Sequence, residues 1–213
     1  MTETPEDRIS KTSSLCSLRL RPHIVDGLFR LLLIEHFSDA NNIEDPVFSN
    51  RLFSADDKTG ILIELATRYT PTRTQKRPAI VIRRNDWQTK RLGTFASRSG
   101  TTPDGHPRFT KWWHGTHTMF CVSKVGGEVE VLAAEVANYF QHFGPTICEF
   151  FTFGFFDLVA VGGPAVLEES QVHLAVPVTV RYAWEDTWIL RNHKSVPLKT
   201  VTMTQLYEPL SLV

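Results

Sequence analysis

The fold of this chain is decided between residues 114 and 184. They read HGTHTMFCVSK (114–124), GGEVEVLAAEVANYFQHFG (126–144), ICEFFTFGFFDLVAVGG (147–163) and SQVHLAVPVTVRYAW (170–184). In the first segment Thr116, Thr118, Phe120 and Val122 alternate with His117, Met119, Cys121 and Ser123, the period-two signature of a strand. In the second, Val129, Leu132, Ala133, Val136, Phe140 and Phe143 fall at helical spacing and predict a helix over Glu128–Phe143. Glu128 and Glu130 suit the positive end of its dipole, and Gly144-Pro145 is expected to stop it. Phe150–Val161 is rich in aromatics and reads as a strand covered on both faces in places. Finally Val172, Leu174, Val176, Val178, Val180 and Tyr182 point one way while Gln171, His173, Ala175, Pro177, Thr179 and Arg181 point the other. Pro177 has no N–H to give to a ladder, which favours an edge strand or a bulge there. Strand, helix, strand, strand, with no catalytic motif inside, reads as the scaffold of an assembly module.

Working back toward the N-terminus, PAIVIRRND (78–86) is a short strand and GILIELATRYT (60–70) an alternating one. Joined by PTRTQKR, they read as a long hairpin, Gly60–Arg84, whose tip projects beyond the core. Before it, Pro22 stands at the first turn of HIVDGLFRLLLIEHF, whose apolar residues Ile24, Val25, Leu28, Phe29, Leu31 and Leu32 form the broad face of a packing helix. Between the hairpin and the organising segment, 87–113 is Gly/Ser/Thr/Pro-rich and strongly basic, and it reads as an exposed loop. The expected architecture is therefore α+β: a mainly antiparallel sheet with a long hairpin, packed by two main helices. It occupies residues 21–184, with an N-terminal arm at 1–20 and a C-terminal extension at 185–213.

Composition excludes several function classes. The formal net charge is zero, so no global attraction to nucleic acid or acidic lipid is expected. No apolar run is long enough to span a bilayer, and the polar, mixed-charge start is no secretory signal. Cys16, Cys121 and Cys148 are odd in number and far apart, which fits reduced thiols better than a disulfide framework or a zinc cluster.

Searching for chemistry finds little. His114 and His117 stand three apart, so on a strand they face opposite sides and cannot converge on a metal without a bulge. Asp104-Gly105-His106-Pro107 is turn chemistry. There is no nucleophile elbow, phosphate loop or dinucleotide fingerprint. Glu168-Glu169 and Glu185-Asp186 read as solvated carboxylates. No catalytic, cofactor-binding or metal-ligating residue is assigned. The strongest functional signal is the basic stretch with interleaved aromatics. It could contact phosphates while Trp87, Phe95, Phe109, Trp112 and Trp113 stack on bases, and an interaction loop is preferred to a dedicated DNA binder. The residues expected at a subunit or partner interface are Arg68, Arg73, Lys76, Arg77, Arg83, Arg84, Trp87, Lys90, Arg91, Arg98, Trp188, Leu190 and Tyr207.

The order helix, long hairpin, strand, helix, strand, strand is carried by RPAIVIRR (77–84), THTMFCVSKVGGEVEVLAAEVANYF (116–140) and FDLVAVGGPAVLEESQVHLAVPVTVRYAWEDTW (156–188). It resembles the tail-terminator and head–tail joining proteins of long-tailed bacteriophages. The resemblance implies a non-enzymatic virion protein without cofactor or membrane, made in the host cytoplasm and placed at the neck. It implies a homo-oligomer, a hexameric ring, that caps the tail tube and meets the head connector or stopper. The sheath protein is a further partner, and genomic DNA passes through the lumen. The basic insertion and the C-terminal extension depart from the family pattern, which leaves terminator, neck connector and baseplate subunit open. The rival readings are a nucleic-acid-binding protein using 87–113 and a hydrolase centred on His114 and His117.

Overall fold

Two long strands frame the molecule. The computed structural model describes residues 22–46, 48–49, 51–53, 60–70, 78–90, 98–103, 105–167 and 170–189. Its elements are α1 (Pro22–Ser38), a 3-10 turn (Ala40–Asn42), β1 (Leu62–Leu65), β2 (Ala79–Arg84), β3 (Gln88–Lys90), β4 (Arg98–Thr101) and β5 (Pro107–Ser123). There follow α2 (Gly126–Phe151), β6 (Phe155–Val161), β7 (Ala165–Leu167) and β8 (Ser170–Ile189). The class is α+β, with an eight-stranded, mostly antiparallel sheet ordered β1-β2-β5-β8-β6. β5 and β8 pair without a break from Arg108↔Ile189 to Ser123↔Leu174. β3 and β4 extend β2 along one side of β5, and β7 continues β6 along one side of β8.

Both helices lie on one face. The core joins Val25, Phe29, Leu33 and Phe37 of α1 and Val129, Leu132, Val136 and Phe140 of α2 to the inward residues of the sheet. Those inward residues include Ile80, Ile82, Met119, Cys121, Val176, Val178, Val180 and Tyr182, so the apolar row read in β8 faces the helices from Val176 to Tyr182, and in β5 the row of His117, Met119 and Cys121 does so. Among the described residues, the opposite face carries a smaller apolar cluster of Leu62, Ala79, Val81, Val122 and Ala175, with Tyr69, Phe120 and Leu167 packed against it.

Several expectations are corrected. β1 and β2 are not a hairpin: they pair in parallel, Leu62↔Ala79 to Leu65↔Ile82. A parallel pair needs a connection of about a dozen residues or more, for which 66–78 is long enough, whereas a tight turn would have reversed the chain; the expected hairpin tip, 71–77, lies outside the described residues. Nor is 87–113 a loop throughout, since it contains β3, β4 and the first half of β5. A true hairpin joins β4 to β5 through a turn at Gly105 (φ 79°), where the Gly105 N–H donates to the Thr102 carbonyl. That agrees with the turn chemistry of 104–107. The expected C-terminal extension begins at least five residues too early, because Glu185–Ile189 remains in β8. The rest of that extension, and the arm 1–20, lie outside the described residues.

α2 also runs past its expected stop, through Gly144-Pro145 to Phe151. Proline inside a helix costs about 3 kcal/mol. Burial of Ile147 and partial burial of Cys148 and Phe151 against the core offset it. Termination falls instead at Thr152, in the left-handed region at φ 54°, and the Phe153 N–H donates to the Cys148 carbonyl 3.0 Å away. This six-to-one closure is a Schellman end with threonine where glycine is usual. Consequently the third segment forms a strand only from Phe155.

Pro177 sits in an interior strand, paired to Phe120. Its carbonyl accepts from the Gly162 N–H at 2.8 Å, so its donor-less nitrogen faces the interruption between β6 and β7 and costs no ladder bond. Two glycines fix how closely the strands pack. A Cβ on Gly115 would lie 2.7 Å from the Tyr182 ring, and one on Gly154 2.2 Å from the Trp112 ring. Gly154→Ala is expected to cost roughly 1–3 kcal/mol by overpacking, read as a shift in the urea midpoint at unchanged slope. An unshifted midpoint would mean that Trp112 moves freely.

Candidate functional site: open sheet surfaces over a buried polar relay

Position 117 of β5 faces the helices, and its histidine is 0% exposed. Sequence proximity offers it no acid, yet α1 brings Asp26 to it from 91 residues away, with Nε2 2.8 Å from Oδ1. On the other side of the ring, Tyr182 of β8 lies with its hydroxyl 2.9 Å from Nδ1. Trp87, on the bulge between β2 and β3, donates its Nε1–H to the same hydroxyl at 3.0 Å. An indole N–H can only donate. The Asp26 carboxylate only accepts, so the His117 Nε2–H donates to it; Nδ1 of the neutral ring is then an acceptor and takes the Tyr182 O–H. Arg84 of β2 ends the chain, 3.5 Å from Asp26 Oδ2.

Burial lowers the His117 pKa below its ordinary value, against the hydrogen bond and charge of Asp26, while Arg84 pushes the same way as burial. Burial likewise raises the pKa of Tyr182. A general base must reach its substrate proton within a hydrogen bond or one water, and this one is sealed under Phe29, 4.7 Å away centroid to centroid. The relay is a joint: it fastens α1 to β2, β5 and β8.

A second joint holds the other end of α1. His36 Nε2 lies 2.9 Å from Oε1 of Glu135 on α2, with both side chains about 5% exposed or less. The Glu44 backbone N–H reaches the same oxygen at 3.3 Å. The start of α2 is tied by Glu128, which accepts from the Ser123 hydroxyl and from Arg51. Neither joint was legible from local spacing, because each partner is distant in sequence.

The residues expected at an interface scatter. Arg68 is exposed in the turn after β1, and Arg83 is exposed on the sheet face opposite the helices. Arg84 points the other way, to Asp26. Trp87 is half-buried against Trp184, at 4.3 Å between centroids, besides its bond to Tyr182. Trp188 stacks on Phe109 at 5.5 Å, and Trp113 on Trp184 at 6.1 Å. Trp87, Phe109 and Trp113, expected to stack on bases, are thus engaged within the protein, and the basic stretch gains acidic neighbours such as Asp186 opposite Lys111. Lys90 and Arg98 end β3 and begin β4. Arg73, Lys76, Arg77, Arg91, Leu190, Tyr207 and Phe95 lie outside the described residues.

His114 and His117 do face opposite sides, as their spacing requires. His114 packs on Phe155 at 5.7 Å, on the outer face. Among the described residues no cluster of three His, Cys, Asp or Glu side chains could hold a metal, and no helix is long and apolar enough to cross a membrane. Burial raises the thiol pKa of Cys121 far above its ordinary value and that of Cys148 less so, which keeps both protonated and unreactive.

What the surface does offer is open sheet. Among the described residues no strand pairs with the far side of β6, where Val159 and Val161 are about half exposed. Beyond Trp113 and Trp184 the β5–β8 pair continues as a ribbon for five more residue pairs, Trp112↔Glu185 to Arg108↔Ile189, roughly 17 Å at the usual strand rise. The chain matches no protein-family model and no curated protein.

Proposed function

We propose that this chain is a virion structural subunit, a tail-terminator or head–tail joining protein of a long-tailed phage. Its copies close into a ring that caps the tail tube and meets the head connector, with DNA passing through the lumen. The observation that carries the reading is the β6 edge, which no strand pairs with among the described residues, beside a sheet whose two described helices both cover the same face. An exposed edge of this kind invites pairing with another chain, and burying it against a neighbour removes that hazard. β1 and β6 are different strands at opposite sides of the sheet, so a contact from one to the other is heterologous, and a heterologous contact that closes makes a ring. The order strand, helix, strand, strand from β5 to β8, the part of the sequence resemblance that does not depend on the corrected hairpin, supplies the rest.

The test is the mass of the purified chain by light scattering, with images taken in the presence of tail tubes. A six-copy ring, or capped tube ends, is the expected result. A monomer that ignores tubes overturns the proposal. Val159→Lys puts a charge on the open edge at the β6 bulge, between Leu158 and Ala160. It is expected to abolish ring formation while leaving the thermal midpoint within about 3 °C. Assembly unaffected by this substitution would show that β6 is not the joining edge.

A further inference from the structure

The molecule is neutral overall and exposes both signs of charge on both layers, but the charges beside two exposed apolar features differ in sign. On the helix layer Glu35, Glu130 and Glu149 are exposed, and Glu35 lies close enough to Tyr139 to add to the burial that pushes its hydroxyl up to about 12. On the opposite side of the sheet, Arg68 and Arg83 are exposed. Among the described residues, each layer also carries an exposed apolar feature. Along α2, Phe143 is 49% exposed and Phe150 80% exposed. Their spacing of seven places them on one stripe, about 10 Å apart. Glu149 borders that stripe. On the outer sheet face a trough of about 450 Å³ has Val81, Phe120, Val122 and Pro177 in its floor and Tyr69 and Val166 in its walls. Arg83 also lines this trough, and Arg68 stands between two of its lining residues, Ala66 and Tyr69.

We propose that the C-terminal half of α2 in one copy docks into the outer-sheet trough of a second copy, with Phe150 in the trough and Glu149 against Arg83. A knob on one layer and a trough on the other cannot meet within one molecule, whereas front-to-back association joins both the apolar pair and the opposite charges. The contact is heterologous and rests on the self-assembly reading, which it deepens by naming the faces. Two aromatic side chains bury on the order of 300–500 Å², less than the ~800 Å² per partner of a standard interface. It therefore acts beside edge pairing and is weak alone.

Sedimentation of the full-length chain over the micromolar range tests it. Phe150→Ser is expected to weaken self-association about tenfold or more. Arg83→Glu and Glu149→Arg are each expected to weaken it several-fold, and the double charge reversal to return it to within about threefold of the starting protein. All three side chains are exposed, and unchanged circular dichroism confirms that the variants fold. Val166→Glu, on the trough wall, gives an independent check with the same expected loss. Assembly that survives all of these substitutions overturns the contact and leaves the ring proposal standing. A chain that stays monomeric throughout overturns the contact as well.

Discussion

Replacing His117 with alanine should lower the unfolding free energy by about 3 kcal/mol, the largest loss expected from any single relay residue. The loss has three sources. The ring fills space between Phe29 and Tyr182, so its removal leaves a cavity. The Tyr182 hydroxyl loses its acceptor inside the core. Asp26 loses its donor, but its side chain is 20% exposed and keeps water and Arg84, so the penalty for a stranded charge is small. Tyr182→Phe removes a single oxygen and should still cost about 2 kcal/mol, because it strands the Trp87 N–H and the His117 Nδ1 together. If the chain of bonds acts as a unit, the double variant will cost about 1–2 kcal/mol less than the two singles added. Urea unfolding of the four proteins measures this. Strict additivity would show that the bonds are independent and that the relay is not the joint of α1.

The sequence patterns that the structure bears out belong to elements that bury one face: β5, β8 and the first part of α2, where each turn or pair repeats the same demand. What escaped them lies between elements. Alternation in 61–65 and 79–84 marks two strands but carries no direction, and it cannot tell a parallel pair from a hairpin. Trp112-Trp113-His114 does not alternate cleanly, because Trp112 packs against Gly154 on one side while Trp113 stacks on Trp184 on the other. The strand was therefore hidden in a stretch rich in Gly, Ser and Thr. Pro145 reads as a stop, yet tertiary burial of Ile147 overrides a local cost of a few kcal/mol. Asp26 stands among apolar residues of α1 as an ordinary polar residue, and only the fold brings it under His117. For the candidate surfaces, the exposed arginines were visible as charge, but Trp87 was misread as a free aromatic because its partner hydroxyl lies 95 residues away.

Acid should weaken the fold through His117 before carboxylates are protonated. Its folded pKa lies below the unfolded value of about 6.5. As pH falls below about 6.5, the unfolded chain takes up a proton that the folded chain refuses. Stability then drops with a slope approaching ~1.4 kcal/mol per pH unit, and the drop levels off once pH passes the lowered folded value. The geometry gives the same sign. A proton on Nδ1 would face the Tyr182 O–H as donor against donor and force that hydroxyl to turn from the ring, with the Trp87 N–H already aimed at its oxygen. The groups facing the imidazole are Asp26 of α1, Arg84 of β2, Tyr182 of β8 and, through Tyr182, Trp87; Phe29 closes the remaining side. His117→Gln cannot titrate, so it should be less stable than the parent at pH 7.5, with a gap that narrows by roughly 1 kcal/mol at pH 5.5. The other histidines titrate in both proteins and cancel in this difference. A gap that stays constant would mean that Asp26 balances burial and leaves the His117 pKa unshifted, and one that widens with acid would mean that Asp26 outweighs burial and holds a charged His117 in the folded chain; either result overturns the prediction.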